Sequence, residues 1–149
     1  MTVTKDVLIS ISGLQMSIDG ETPLELITGG NYYYKNGKHY ILYDETSPDS
    51  GELTKNTIKI SDQRVDVIKN GENSVHMVFE PDTKNMTYYQ TPYGSMLVGI
   101  NTIGISNRED DMNLHTKIDY ALEINYSHMT DCSVEINVRS KEDKNFSLQ

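Results

Sequence analysis

The sequence predicts an all-β domain whose antiparallel strands curl into an up-and-down β-barrel of about eight to ten strands. Three observations indicate this fold. Large residues alternate with polar ones along several segments, marked turns separate the segments, and no segment has the period of an amphipathic helix. The clearest alternation runs through residues 114–126. A side-chain period of two places one set on each face, so this segment is predicted as a long, half-buried strand.

Candidate strands follow one another along the chain, and Gly13 is a predicted bend or bulge in the first. The short turns between them favour an up-and-down barrel over a two-sheet sandwich with Greek-key links. Closing the barrel also removes the exposed edges that an open sheet of this size would leave. The predicted strands cover residues 3–18, 24–35, 38–45, 54–62, 64–69, 74–80, 86–91, 95–106, 113–127 and 133–140.

Asn36-Gly37 marks the turn between the second and third strands, because both central residues of a type I′ turn need positive φ. The two-residue loop then pairs Tyr34 with His39. One face of this hairpin carries mostly apolar and aromatic residues together with His39 and Glu45. Its other face is also partly aromatic and carries Tyr33, Tyr40 and Leu42.

Two further turns fix the register of the middle strands. At residues 70–71 an odd loop length places Asp66 opposite His76 and keeps the apolar residues on one face. Residues 91–94 suit a type I turn with a G1 bulge, which gives one coherent apolar face that contains Tyr88. The last two strands are predicted to pair across a longer loop that contains His128 and Cys132.

Length and composition fit one domain, with the barrel in residues 1–140 and a polar tail in residues 141–149. Hydrophobic residues make up 36% of the chain, and Tyr supplies 10 of its aromatic residues. The formal net charge is -9, a sign that repels phosphate backbones and anionic lipid surfaces. No apolar run approaches the ~20 residues that span a bilayer. Neither a nucleic-acid partner nor a membrane is expected.

A cytoplasmic location is expected from two features of the chain. Cys132 is the only cysteine, so no intrachain disulfide can form. The first residues lack the basic and long apolar segments of a secretion signal.

No motif in the chain indicates chemistry that needs a cofactor. The glycines are dispersed and form no phosphate-binding loop, the His and Cys residues lack zinc-site spacing, and no Ser has a nucleophile-elbow context. No catalytic residue, metal ligand or cofactor is therefore predicted. The enzymatic alternative is an acid–base pair, either His39 with Glu45 or Asp66 with His76.

The favoured hypothesis is a barrel that binds a small apolar or amphipathic ligand in its interior. His39 would act as a polar handle in a mostly apolar cavity, or it would simply be a hydrogen-bonded histidine near the barrel mouth. The tyrosines would line a pocket or fill the core. The candidate ligand-binding residues are Tyr34, His39, Tyr43, Glu45, Tyr88 and Tyr120.

The alternative hypothesis is a module for protein interaction or homodimer assembly. Exposed aromatic clusters mark interfaces, and the outer hairpin face with Tyr33, Tyr40 and Leu42 is one candidate.

Four segments are similar in order and spacing to the YwiB-like family of small bacterial proteins, a domain family of unknown function. They are ITGGNYYYK at 27–35, YILYDE at 40–45, YQTPYGS at 89–95 and IDYALEI at 118–124. The resemblance covers nearly the whole chain and implies a calycin-like β-barrel, the group that includes the lipocalin-like folds. Its motifs are turns and strand faces, and it implies no catalytic set. The chain departs from typical lipocalins in lacking a disulfide.

Overall fold

The computed structural model describes residues 6–13, 25–46, 50–71 and 74–141 of the 149-residue chain. Over these residues the backbone forms ten β-strands, and each predicted strand has a counterpart. The strands are β1 (Asp6–Ser12), β2 (Leu26–Lys35), β3 (Lys38–Thr46), β4 (Leu53–Ser61), β5 (Arg64–Asn70), β6 (Val75–Phe79), β7 (Thr83–Thr91), β8 (Gly94–Glu109), β9 (Asn113–Ile124) and β10 (Ser127–Ser140).

Neighbouring strands of the sheet are antiparallel, and almost all of them are also consecutive in the chain. The exception is β1, which pairs with β2 on one side and with β10 on the other. The sheet order is β6-β5-β4-β3-β2-β1-β10-β9-β8-β7. The prediction of an antiparallel up-and-down barrel is therefore confirmed.

The barrel closes at a seam between β6 and β7, the first and last strands of the sheet order. Ser74, directly before β6, forms a backbone bridge with Gln90 of β7. The Ser74 N–H donates to the Gln90 carbonyl at 2.9 Å, and the Gln90 N–H donates to the Ser74 carbonyl at 2.8 Å. This bridge makes the barrel nearly closed.

A continuous hydrophobic cluster fills the middle of the barrel. The rings of Phe79 and Tyr120 pack edge to face, with centroids 5.0 Å apart. Space for a guest must therefore lie toward the ends of the barrel, where polar side chains enter the inward faces. The largest fully buried side chains include Tyr120, Phe79, Met77, Ile9, Ile41, Ile58, Ile60, Ile100, Leu114, Ile118 and Ile136.

The Asn36-Gly37 turn has the predicted geometry. Asn36 has φ 53° and Gly37 has φ 76°, the two positive values that a type I′ turn requires. Tyr34 pairs with His39, as predicted.

The turn between β9 and β10 is a correction to the sequence prediction. The chain reverses at Asn125-Tyr126, where both residues have positive φ (50° and 71°), and Ile124 pairs with Ser127. β9 therefore ends before residue 127, and β10 begins six residues before residue 133. The alternating pattern hides this turn because Tyr126 continues it, and a tyrosine seldom adopts positive φ. Asn125 also holds the turn against β8, since its N–H donates to the Leu97 carbonyl at 2.8 Å.

Two other predicted registers are wrong. At residues 91–94 a two-residue loop pairs Thr91 with Gly94 and leaves no G1 bulge, so Tyr88 lies opposite Leu97. In the β5–β6 hairpin the loop is odd, as predicted, but it is longer. Asp66 consequently pairs with Val78 and is a diagonal neighbour of His76.

The first predicted strand is shorter in the structure. β1 ends at Ser12, and Gly13 follows with φ 85°. A Cβ on Gly13 would lie 2.0 Å from the Ser133 carbonyl oxygen, so the close approach to β10 requires glycine here. Residues 14–24, which include the rest of the predicted strand, and the tail from residue 142 lie outside the described residues. Within the described part of the chain, no helix has the length and apolar character needed for a membrane crossing.

Candidate functional site

The predicted ligand-binding residues do not form one site, because they lie at different heights and on both faces of the barrel wall. We name the two ends of the barrel after residues of β3. The His39 end contains His39, Tyr34 and Glu109, and the Glu45 end contains Glu45, Asn56 and Lys69.

Three of the candidates are distributed along the interior. Tyr34 is 57% exposed at the His39 end, Tyr43 is buried two residues before Glu45, and Tyr120 is buried in the middle of the barrel. Tyr88 is on the outer face and 60% exposed, because the two-residue loop at 92–93 reverses its predicted phase. It cannot line the interior from this position.

The predicted pairing of His39 with Glu45 is wrong. The two residues lie six positions apart on one strand, which separates them by about 20 Å at ~3.3 Å per residue. The carboxylate near His39 belongs to Glu109 of β8, with 3.7 Å between His39 Nε2 and Glu109 Oε1. The sequence pattern could not identify this partner, since its place depends on the bulge in β8 between Thr102 and Gly104.

The His39 end is built around a hydrogen bond between two buried side chains. The Tyr32 hydroxyl lies 2.7 Å from His39 Nδ1. Burial, and then the Glu109 and Tyr34 charges, raise the pKa of Tyr32 to about 12, so the phenol keeps its proton and donates. Burial lowers the pKa of His39, against the opposing effect of Glu109. A neutral imidazole accepting from Tyr32 satisfies both observations.

A second contact ties this end of the barrel together. Asn107 of β8 donates from Nδ2 to the Ser61 carbonyl at 3.1 Å and accepts from the Thr116 hydroxyl at 2.8 Å. Thr116 lies on the neighbouring strand β9, whereas Ser61 ends β4, so the Asn107–Ser61 bond crosses the barrel end. The His39 end is therefore braced by the protein's own polar groups.

The Glu45 end contains a partly buried ion pair, of which the sequence analysis identified only Glu45. Lys69 Nζ donates to Glu45 Oε1 at 2.6 Å and to Asn56 Oδ1 at 2.7 Å. The Lys69 side chain is only 11% exposed, whereas Glu45 is 38% exposed. These two contacts account for two of the three N–H donors of the ammonium group.

A signal for Lys69 and Asn56 exists in the sequence. Lys69 alternates in phase with the buried Val65 and Val67, and Asn56 alternates with Ile58. A polar residue in the inward phase of a strand predicts a polar group inside the barrel. Of the three polar residues in this cluster, only Glu45 is among the predicted site residues.

Two tyrosines lie close enough to Glu45 for its charge to affect their pKa values. Burial, and then the charge of Glu45, raise the pKa values of Tyr43 and Tyr89 above their ordinary value. Both phenols therefore remain neutral hydroxyls at physiological pH, able to donate or accept hydrogen bonds beside the ion pair.

The rim of this end is apolar and only partly covered. Three hydrophobic side chains pack against the core cluster without being fully buried, and all belong to strand segments at the Glu45 end. A polar cluster inside an apolar rim can orient one end of an amphipathic molecule while enclosing its apolar part. The three rim residues are Leu26, Tyr89 and Ile124.

A third polar cluster lies on the outer face of the sheet. Arg64 donates to both carboxylate oxygens of Asp66, at 2.8 and 3.1 Å, and His76 Nε2 lies 2.7 Å from Asp66 Oδ2. The pKa of Asp66 is lowered: burial, the largest effect, would raise it, but the Arg64 and His76 hydrogen bonds outweigh burial. Asp66 and His76 are therefore in contact, as predicted, and they form a cluster with Arg64 on the outer face of the sheet.

The described residues contain no group of three or more His, Cys, Asp or Glu side chains arranged to hold a metal ion. The thiol of Cys132, on β10, is half-buried. Burial raises its pKa, while a hydrogen bond with Tyr120 acts in the opposite direction. A protonated, half-buried thiol is a poor nucleophile.

Comparisons with known proteins bear on the fold and the family. A family model described as "Domain of unknown function (DUF1934)" matches residues 9–136. The crystal structure of the ywiB protein from Bacillus subtilis superposes with a TM-score of 0.73, at 22% sequence identity over 92% of each chain. That identity supports a shared fold alone. No curated protein matches the chain.

Proposed function

The chain belongs to the DUF1934 family, and the predicted YwiB-like resemblance is confirmed. From this premise we propose that it binds a small amphipathic molecule at the Glu45 end of the barrel. The observation that carries the proposal is the Lys69 ammonium, nearly buried inside an apolar rim and hydrogen-bonded to Glu45 and Asn56. Removing a lysine from water costs free energy. A protein with well-packed apolar residues in place of a buried ion pair is often as stable as the protein with the pair. An energetic cost at this position is consistent with a binding role.

The ligand class follows from the chemistry of the cluster. The third Lys69 N–H suits a ligand oxygen that accepts a hydrogen bond, such as a carboxylate or carbonyl group. The neutral hydroxyls of Tyr43 and Tyr89 lie near the same carboxylate and supply further donors. The rest of the ligand would contact the partly covered side chains of Leu26 and Ile124. The packed middle of the barrel prevents the guest from extending further into the interior.

Native mass spectrometry of the purified protein, beside a denatured control, tests the proposal. We expect extra mass that disappears on denaturation, and its value would identify candidate ligands. Lys69→Met should lose the guest, because it removes the donor while keeping a long apolar chain. Lys55→Met, at an exposed position of β4, is the matched control and should retain the guest.

The stability of the variant separates a binding role from a structural one. We expect Lys69→Met to change Tm only slightly, because the desolvation cost of the Lys69 charge is removed and the unpaired Glu45 carboxylate, 38% exposed, can be solvated by water. A large decrease in Tm together with retained guest would show that Lys69 serves folding, and would contradict the proposal.

An outer aromatic surface supports a second candidate function, assembly with another copy or another protein. Tyr33 and Tyr40 stack with centroids 4.7 Å apart and ring planes 6° apart, and Lys59 Nζ lies 5.8 Å from the Tyr40 centroid. Tyr33 remains 45% exposed. A dimer without extra mass in the native spectrum would favour this candidate over ligand binding.

The location that we propose is the cytoplasm. The single cysteine, half-buried as a free thiol, suits a reducing compartment.

A further inference from the structure

A groove of about 420 Å³ lies on the outer wall of the barrel, beside the His39 end. It is separate from the Glu45 end, where the proposed ligand binds. Its lining comes from β8, β9 and β10, including the turn between β8 and β9. The volume is within the range of about 300–1,000 Å³ that is usual for small-molecule sites.

Two arginines line this groove. The chain has three arginines and a net charge of -9, and both Arg108 and Arg139 line the groove. The Arg108 side chain is exposed and forms no hydrogen bond or ion pair with side chains of the described residues, whereas the Arg139 side chain is half-buried and has a partner within the protein. Guanidinium groups bind carboxylates through two parallel hydrogen bonds, so two arginines in the lining of one groove indicate an anion site.

Strand register places further hydrogen-bonding groups beside the arginines. Arg108 pairs with His115 across β8 and β9, and His115 pairs with Asn137 across β9 and β10. His115 Nδ1 lies 2.6 Å from Asn137 Oδ1, so the imidazole donates and its orientation is fixed. Asn113, opposite Arg139, adds an amide to the lining.

The carboxylates of the groove already have partners within the protein. Asp110 Oδ1 accepts hydrogen bonds from the backbone N–H groups of Met112 (2.8 Å) and Asn113 (2.9 Å). These bonds help to hold its pKa below the ordinary value. Glu109 extends toward His39, 3.7 Å from Nε2. Both charges nevertheless remain close enough to repel an anion of high charge.

We propose that this groove binds a small molecule through a carboxylate group, held by Arg108 and Arg139. A carboxylate carries one negative charge and matches the guanidinium fork. A phosphate carries about -1.5 to -2 charges at neutral pH, and the neighbouring Glu109 and Asp110 would oppose it more strongly. His115 and the two asparagines would contact the remaining polar atoms of the ligand.

Titration of the ¹⁵N-labelled protein with lactate, a monocarboxylate with one negative charge, followed by amide chemical shifts, tests the proposal at constant ionic strength. We expect localised shifts at residues 108, 115, 137 and 139. Arg108→Gln should weaken lactate binding about tenfold or more, the loss expected for a charge-assisted hydrogen bond. Arg139→Gln should do the same, and the exposed Arg108 remains testable if the half-buried Arg139 is needed for folding.

Lys117→Gln is the matched control, since Lys117 is exposed on the same face of β9 but does not line the groove. It changes the net charge equally and should leave binding unchanged. Equal loss in Lys117→Gln and Arg108→Gln would reveal nonspecific attraction and overturn the proposal. Diffuse shifts, or inorganic phosphate binding as tightly as lactate, would also overturn it. None of these outcomes depends on a guest at the Glu45 end.

Discussion

At the scale of single residues, function in this barrel concerns polar side chains in the inward phase of a strand. His39 and Glu45 could be identified from alternation, and so could Lys69 if the phase of every polar residue were followed. Which of them meet could not be predicted, because contacts between strands depend on register. In the structure Lys69 pairs with Glu45. His39 contacts the Tyr32 hydroxyl and lies near the carboxylate of Glu109, which is distant from it in the sequence.

His39 should make folding stability dependent on pH. Burial lowers its pKa in the folded state, so the unfolded chain binds more protons as the pH falls below about 6.5. The stabilising contribution is present above that pH and is lost as the pH falls toward the folded-state pKa. We expect His39→Gln, whose side-chain oxygen can still accept from Tyr32, to remove this part of the dependence.

Urea unfolding at several pH values between about 5 and 8 measures the effect, which for one proton cannot exceed about 1.4 kcal/mol per pH unit. His128→Gln is a control for the loss of an exposed imidazole. If the difference in unfolding free energy between wild type and His39→Gln were independent of pH, the proposed protonation state of His39 would be wrong.

At the scale of elements, strand existence follows from the sequence, whereas register follows from turns. The Asn36-Gly37 hairpin was predictable because its residues suit positive φ. The hairpin at Asn125-Tyr126 was not, because Tyr126 belongs to the alternating pattern and gives no turn signal. Sequence reasoning about this fold therefore fails at two-residue turns that contain residues that seldom adopt positive φ.

The two turns offer a matched pair of substitutions with opposite expected effects. Tyr126 is 74% exposed with φ 71°, so Tyr126→Gly should stabilise the protein by about 1 kcal/mol by removing the cost of positive φ. Gly37 has φ 76°, and a Cβ added to it would meet no atom within 4 Å. Gly37→Ala should therefore destabilise the protein by about 1 kcal/mol through backbone conformation alone.

Thermal or urea denaturation of the two variants measures these changes. A loss of stability in Tyr126→Gly would mean that the tyrosine ring makes contacts worth more than the backbone cost.

At the scale of the whole molecule, barrel closure was predictable from the number of strands and their short turns. The place of closure was not, since every predicted hairpin had the same form. The structure places the seam between β6 and β7, with the Ser74–Gln90 bridge. In contrast, β1 and β10, the first and last strands of the chain, form a regular ladder of six pairs.

The seam should be where the barrel opens first. We expect the backbone amides of Ser74 and Gln90 to exchange hydrogen at least about tenfold faster than those in the β1–β10 ladder, because one bridge opens locally at lower free energy. Hydrogen exchange followed by NMR measures both sets in one sample. Equal protection of the seam and the ladder would show that the barrel opens only by global unfolding.

The ladder between β1 and β10 also sets the order in which the chain can fold during synthesis. Val7 pairs with Ser140, so β1 leaves the ribosome long before its partner exists. Until β10 arrives, β1 has only β2 beside it and presents a row of unpaired backbone groups to other chains. The nascent chain is therefore most open to aggregation before β10 has been made, and its last strand is the one that protects its first.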